Sequence, residues 1–442
     1  MSSSSAATEP GAPPRGARAW APWAAAATAL VLALAAVLLL RGRGGAAPSW
    51  PAWRGPRGDA RGAATGVPTE WSPTRNVVWR APVPGRGHSS PVVCGEDVFV
   101  TTADQEALQQ RVAAFDRRTG RPSWSTLLHE GGFMRSSARG SHASSTPACD
   151  GRRVYAAMAN GGSLWLSAVG LEGRVAWQSK VGPFYSEHGY GSSVALHENL
   201  VIVSADNPSK GFLAAVDRDT GKTVWETPRT TTGYKASYGS PIVGRVAGRT
   251  QLLVVGLGSV SGYDPEDGRL VWRAAGTADA TVSSPAFSDQ LVFASGGDPR
   301  NEVMAVRGDG QGDVSATHVA WRSRRGVAYV PSPVLVGSTL VVVTDEGIVN
   351  AFDAATGEVR WQARLEGDFL SSPVVADGHV FVTNDAGTTF VFDAGERFTL
   401  LARNDMGSGG KASLALDGGH ILLRTDDALF CIGAAPAGAA GG

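Results

Sequence analysis

The side chains able to do chemistry concentrate between residues 88 and 238. His88, His129, His142 and His188 fall there, interleaved with Glu130, Phe133, Arg135, Arg139, Tyr185, Glu187, Tyr190, Tyr234, Lys235 and Tyr238. Imidazoles can ligate a metal or move a proton near neutral pH, whereas Tyr and Arg are the residues on which protein interfaces depend most. Three readings of the cluster stay open. Its members pack loops and bond backbone; or His88, Arg135, His142, Tyr185, Glu187, His188, Tyr190, Tyr234, Lys235 and Tyr238 form a rim for a protein or peptide; or His88, His142 and His188 hold a small ligand or ion. No metal site is predicted, because imidazoles on separate loops can stand too far apart to share an ion at ~2.0–2.1 Å. No catalytic residue is assigned: Gly-x-Ser-x-Gly, His-Glu-x-x-His and Cys-x-x-Cys are all missing. Asp309-Gly-Gln-Gly-Asp313 is too short for a 12-residue calcium loop and reads as a solvated turn.

Repeats must position these residues. Asp116-Arg-Arg-Thr-Gly120 leads to Trp124, Asp217-Arg-Asp-Thr-Gly221 to Trp225, Asp264-Pro-Glu-Asp-Gly268 to Trp272 and Asp353-Ala-Ala-Thr-Gly357 to Trp361, always eight residues from Asp to Trp. Asp393 to Leu401 keeps the spacing without the Trp, and Gly173 before Trp177 and Asp313 before Trp321 are looser copies. An Asp bonding back onto a turn, a Gly at positive φ and resumed apolar alternation describe a hairpin. A second phrase follows each Trp: Ser89-Ser90-Pro91, Ser145-Thr146-Pro147, Ser240-Pro241, Ser283-Ser284-Pro285, Ser332-Pro333 and Ser371-Ser372-Pro373, with Ser192-Ser193 and Ala412-Ser413 degenerate. Trp79, Trp124, Trp177, Trp225, Trp272, Trp321 and Trp361, with Leu401, mark eight units of 40 to 53 residues. Four short strands per unit make propeller blades. The last unit lacks a fourth strand, and Asn76–Trp79 precedes the first complete one, so the N-terminal strand is expected to close the ring and remove open edges. The Trp series is read as inter-blade packing, and the recurring acids Asp104, Asp206, Asp298, Asp345, Asp385 and Asp426 as turn residues. Loops linking a fourth strand to the next first strand share one face with second-to-third-strand loops. That face receives His88, His129, His142 and His188; His197, His318, His379 and His420 fall on the other. The second to fourth linkers on it are enlarged, at 23, 17 and 16 residues against 12 or 13 elsewhere.

Composition narrows the class further. Three cysteines among 442 residues cannot form a disulfide scaffold, and 43% apolar residues at zero net charge favour a buried core. The zero conceals a split. Residues 1–61 carry seven Arg against Glu9 and Asp59, which leaves the rest about −5, the wrong sign for a nucleic-acid partner. Residues 1–19 read as a disordered tail. Ala21–Leu40 is free of charge, and 20 residues at 1.5 Å span the ~30 Å of a bilayer core. Trp20 and Trp23 flank one end and Arg41 and Arg43 the other, so residues 20–41 are expected to be an uncleaved transmembrane signal-anchor. Residues 42–74 follow as a lead-in, 75–433 as one eight-bladed all-β propeller and 434–442 as a disordered Gly/Ala tail. Counting arginines would keep the propeller in the cytoplasm.

The Asp-x-x-Thr-Gly-x-x-x-Trp and Ser-Ser-Pro-Val-Val phrases resemble the repeat of the PQQ-binding-like β-propeller family, over roughly residues 50–433. That family includes quinoprotein dehydrogenases and BamB, the propeller lipoprotein of outer-membrane β-barrel assembly. Trp50-Pro-Ala-Trp53-Arg-Gly-Pro56 and Tyr329-Val-Pro-Ser-Pro333 further resemble exported propellers of planctomycete-type bacteria. The resemblance implies export, which favours a single-pass inner-membrane protein with its propeller in the periplasm. For the dehydrogenases it implies PQQ, calcium, a catalytic carboxylate and adjacent cysteines. Cys94, Cys149 and Cys431 are far apart, and no stretch matches the calcium ligands, so no cofactor is expected and PQQ is implied by the family name alone. The expected function is a non-catalytic binding or scaffolding module, monomeric, with a protein or peptide partner in envelope protein assembly. A quinoprotein-type oxidoreductase or a small-ligand or metal-binding propeller is the alternative.

Overall fold

Asp116 shows how a repeat becomes a sheet. Its Oδ1 accepts hydrogen bonds from the Arg118 and Thr119 amides at 3.1 and 2.8 Å and from the Thr119 hydroxyl at 2.7 Å. Gly120 closes the turn at φ 71°, and a Cβ there would stand 2.5 Å from the Trp79 ring, so the position requires glycine twice over. The turn joins strands Gln109–Asp116 and Pro122–Glu130. Asp217 and Asp353 make the same bonds to Thr220 and Thr356.

The computed structural model describes residues 1, 49–63, 65–137, 139–208, 210–229, 236–298 and 301–434. The tail 1–19 beyond its first residue, the anchor 20–41, the start of the lead-in, Tyr234, Lys235 and residues 435–442 lie outside the described residues. Among the described residues no helix is long and apolar enough to cross a membrane.

These residues form eight blades, each built on four antiparallel strands, in sequence order in all but the last. Blade 1 runs Val92–Cys94, Asp97–Asp104, Gln109–Asp116 and Pro122–Glu130. Blade 8 is assembled from both chain ends: Ala415–Asp417, His420–Arg424 and Ala428–Ile432 are completed by Val77–Pro82, with Trp79 opposite Cys431. The expected closure is the observed one. Six of the seven indoles donate Nε1–H to a backbone carbonyl in the following blade, from Trp79 to Arg117 through Trp361 to Gly395. Trp272 departs and bonds Gln251 Oε1 of its own blade at 2.6 Å. The next blade lacks the tight turn there. Its residues 308–318 instead lay Gly312–Asp313 in parallel against Leu270–Ala275 as a fifth strand, where the sequence suggested only a solvated turn. Leu401 also needs correction. Ala402 stands opposite Val391 as Trp361 stands opposite Ala351, while Leu401 occupies the adjacent bulge and is 39% exposed.

The second hydroxyl of each serine phrase builds the axis. The Ser90 amide donates to Thr146 Oγ1 at 3.0 Å, Thr146 to Ser193 at 3.1 Å, Ser193 to Ser240 at 2.8 Å and Ser240 to Ser284 at 3.0 Å. Ser284, Ser332 and Ser372 continue through Ser332, Ser372 and Ser413 at 2.8–2.9 Å, and the Ser413 amide returns to Ser90 Oγ at 3.1 Å. Eight bonds, one per blade, close a ring around the channel.

From residue 49 the lead-in is part of this ring's architecture. Trp50 exchanges amide bonds with Val93, Pro51 accepts from the Cys149 amide at 2.7 Å, and Ala60 and Gly62 pair with Val375. Arg54 is buried and donates to Pro333 O at 2.6 Å, and Trp71 stacks on Phe381. The segment thus lies along first strands of several blades and fills the channel from the face opposite the enlarged linkers. Beside it, Cys94 and Cys149 form a disulfide between blades 1 and 2. No scaffold of disulfides exists, but one inter-blade bond does.

Candidate binding site at the channel mouth

A cavity of about 450 Å³ opens on the face of the enlarged linkers. The hydroxyl ring and the half-buried Trp53, whose indole donates to Ser284 Oγ at 3.2 Å, make its floor. Blade linkers make its wall, because each leaves a fourth strand at the outside and must cross the top of the blade to reach the axis. They bring in His88, Arg139, His188, Tyr238, Tyr329 and Lys411.

The linkers unite some of the residues singled out in the sequence and separate others. His88, His188, Tyr190 and Tyr238 line the cavity. His188 is exposed and meets the Tyr238 ring edge-on at 6.0 Å, and the Tyr238 hydroxyl pairs with Ser186 at 2.9 Å. Tyr190 meets the cavity from within the wall, for it is buried and its hydroxyl donates to Ser204 O. His142 is not part of the lining. It stacks on Phe133 and pairs through Nε2 with Met134 O and through Nδ1 with Gln105, away from His88 and His188. A three-histidine ligand set is therefore not formed. Among the described residues, the grouping that could hold an ion is His197, Glu198 and Glu266 on the opposite face, and both glutamates are exposed. Arg135, Tyr185 and Glu187 sit outside the mouth as an exposed rim, with Arg135 and Glu187 3.9 Å apart.

Charge in the cavity has one sign. Its lining contains no Asp or Glu among the described residues, while Arg139 and Lys411 both reach it. His88 does not add to this charge: burial, then Lys411, Arg424 and Arg86, push its pKa down to about 3. The recurring acids were read as turn residues, and two serve the wall differently. Asp345 Oδ2 accepts from the Tyr329 and Val330 amides and Asp385 Oδ1 from Leu370, pinning incoming linkers; burial raises both pKa values. Asp206 is in a buried ion pair with Arg229. Sequence reasoning passed over Trp53, Tyr329 and Lys411 as site residues. The signal available was the hydroxyl kept at all eight serine phrases, including the degenerate Ser193 and Ser413.

Residues 64–206, 209–311 and 310–428 match a family model described as outer membrane protein assembly factor BamB. The chain belongs to this family. A curated relative, outer membrane protein assembly factor BamB of Burkholderia pseudomallei (strain K96243), is 28% identical over 304 residues, covering 66% of this chain and 70% of the relative. Among solved structures, BamB from Moraxella catarrhalis superposes with a TM-score of 0.50 at 16% identity, over 73% of this chain and 84% of that one. A quinohemoprotein alcohol dehydrogenase from Pseudomonas putida HK5 gives 0.60 at 13% identity, over 88% and 76%, and the computationally designed Ika8 protein gives 0.58 at 13%, over 81% and 99%. At such identities these structures share the propeller fold alone.

The cofactor implied by the dehydrogenase resemblance can be tested against the cavity. Its described lining has no carboxylate to ligate calcium or act as a base, and no cysteine. Cys94 and Cys149 are joined to each other between blades, and Cys431 is buried in blade 8. These residues do not fit a calcium-bound quinone, and no chemical step is derived through one.

Proposed function

We propose that this BamB-family propeller is a protein-binding module of envelope protein assembly, tethered to the inner membrane by residues 20–41 and facing the periplasm. The observation that carries the reading is the rim: exposed Tyr185, Arg135 and Glu187 stand on enlarged linkers beside an open mouth, where a partner can reach them. The curated relative is named as an assembly factor for the outer membrane, which supplies the process. The Cys94–Cys149 bond supports the compartment, since such bonds persist where thiols are not kept reduced. In affinity capture from envelope fractions, the full chain retains a component of the outer-membrane assembly machinery, and a triple Arg135→Ala, Tyr185→Ala, Glu187→Ala variant does not. Retention by the variant moves the interface elsewhere. A periplasm-dependent reporter fused after Gly442 tests the topology, and an inactive fusion reverses it.

A further inference from the structure

We propose that the axial cavity is a metal-free receptor for an organic carboxylate, supplied either as a free small acid or as the C-terminus of a polypeptide. The proposal stands apart from the scaffold reading, because it rests on the floor and not on the rim.

The floor has a surplus of donors. Each ring oxygen accepts a backbone N–H at 2.8–3.1 Å, and Ser284 Oγ accepts Trp53 Nε1–H as well. A hydroxyl that accepts still has its own proton to give. Among the described residues none of the eight hydroxyls has a protein acceptor for that proton, and all eight line the cavity. Neither Arg139 nor Lys411 forms an ion pair or a side-chain hydrogen bond there, so two more donors with full charge stand above the ring. Eight hydroxyl protons without a protein acceptor and two cations that can only donate are complemented by a group that only accepts, and an ionised carboxylate is that group. The walls decide between an inorganic anion and an organic one. Tyr238, Tyr329, Val330 and Leu370 present apolar surface around a space of about 450 Å³, far more than a small oxyanion fills. The site differs from a quinone site of the dehydrogenase kind in having no acid that could bring calcium to the ligand.

Isothermal titration of the full chain in detergent tests it, with hippurate and its amide, and with a tetrapeptide carrying a free or an amidated C-terminus. Binding of hippurate assigns a free acid, and binding of the free-ended peptide alone assigns a chain terminus. The amides bind at least about tenfold more weakly, because hydrogen bonds to a charged group are the strong ones. Lys411→Ala and Arg139→Ala each weaken binding about tenfold with the melting temperature unchanged, and EDTA has no effect. Equal binding of acid and amide, loss of binding in EDTA, preference for inorganic phosphate, or no binding of any probe overturns the proposal. A folded Lys411→Glu variant that still binds the carboxylate does the same.

Discussion

The two mouths of the channel treat the same polar axis in opposite ways. At one, residues 49–75 supply partners: Trp50 pairs with Val93, Pro51 with Cys149, and the Arg54 guanidinium with Pro333. At the other, the ring hydroxyls accept backbone N–H groups yet find no acceptor for their own protons among the described residues, and Arg139 and Lys411 form no ion pair or side-chain hydrogen bond there. Backbone and side-chain groups on the axis must be satisfied by something. Where the protein satisfies them itself the mouth is core, and where it leaves them to solvent or a ligand the mouth is a site.

The largest expected effect comes from breaking the filled mouth. Trp50 is 1% exposed, and a Cβ on Gly55 would stand 2.7 Å from its ring, so the space cannot collapse onto a smaller side chain. Trp50→Ala is expected to cost about 3–5 kcal/mol in denaturant unfolding. A loss below about 1 kcal/mol would show the segment to be an appendage. The disulfide comes next. Cys94 and Cys149 are 55 residues apart, and replacing both with Ser removes about 2–4 kcal/mol, read as a lower melting temperature without loss of hippurate binding. An unchanged melting temperature would mean that the remaining contacts, such as Trp124 to Leu171 and Ser90 to Thr146, suffice to hold blades 1 and 2 together.

The open mouth answers to pH. An unfolded His88 gains its proton near 6.5, whereas burial and the neighbouring cations delay this to about 3 in the fold. Between those values the unfolded chain binds the extra proton, so the His88 contribution is complete above pH 6.5 and is lost as pH falls toward 3. The loss is on the order of a few kcal/mol. Asp345 and Asp385, raised by burial, act with the opposite sign, since the fold holds their protons longer. Comparing melting temperatures of the parent and His88→Gln at pH 7 and pH 4.5 isolates the histidine, and parallel losses in both proteins would refute its role.

The filled mouth was poorly legible in the sequence and the blades were plain. Asp-to-Trp spacing reports a local turn, and local turns repeated eight times determine a ring. Trp50, Trp53 and Arg54 work through Val93, Ser284 and Pro333, which lie 43, 231 and 279 positions away, and no period announces such contacts. Leu401 was misplaced for a related reason: Phe392 pairs with Leu400 where Phe352 pairs with Val359, so the turn of this blade is one residue longer and a fixed spacing stops one residue short. The site was half legible. Enlarged linkers pointed to the correct face, yet whether His142 or His188 turns toward the axis depends on packing against Phe133 or Tyr238. Lys411 sits on a linker of ordinary length and gave no signal at all.

The smallest expected effect on stability sharpens the comparison most. Tyr185 is 54% exposed on the rim, and among the described residues no hydrogen bond ties its side chain to the fold. Tyr185→Ala therefore changes unfolding free energy by less than about 0.5 kcal/mol. An aromatic residue left in water at no structural gain is the kind of group that contributes most when a partner covers it. The same substitution should reduce partner capture about tenfold or more while hippurate binding in the cavity stays unchanged. If carboxylate binding falls with it, rim and floor are one site read by one ligand; if capture is unaffected, the partner meets the propeller elsewhere and the open mouth serves the carboxylate alone.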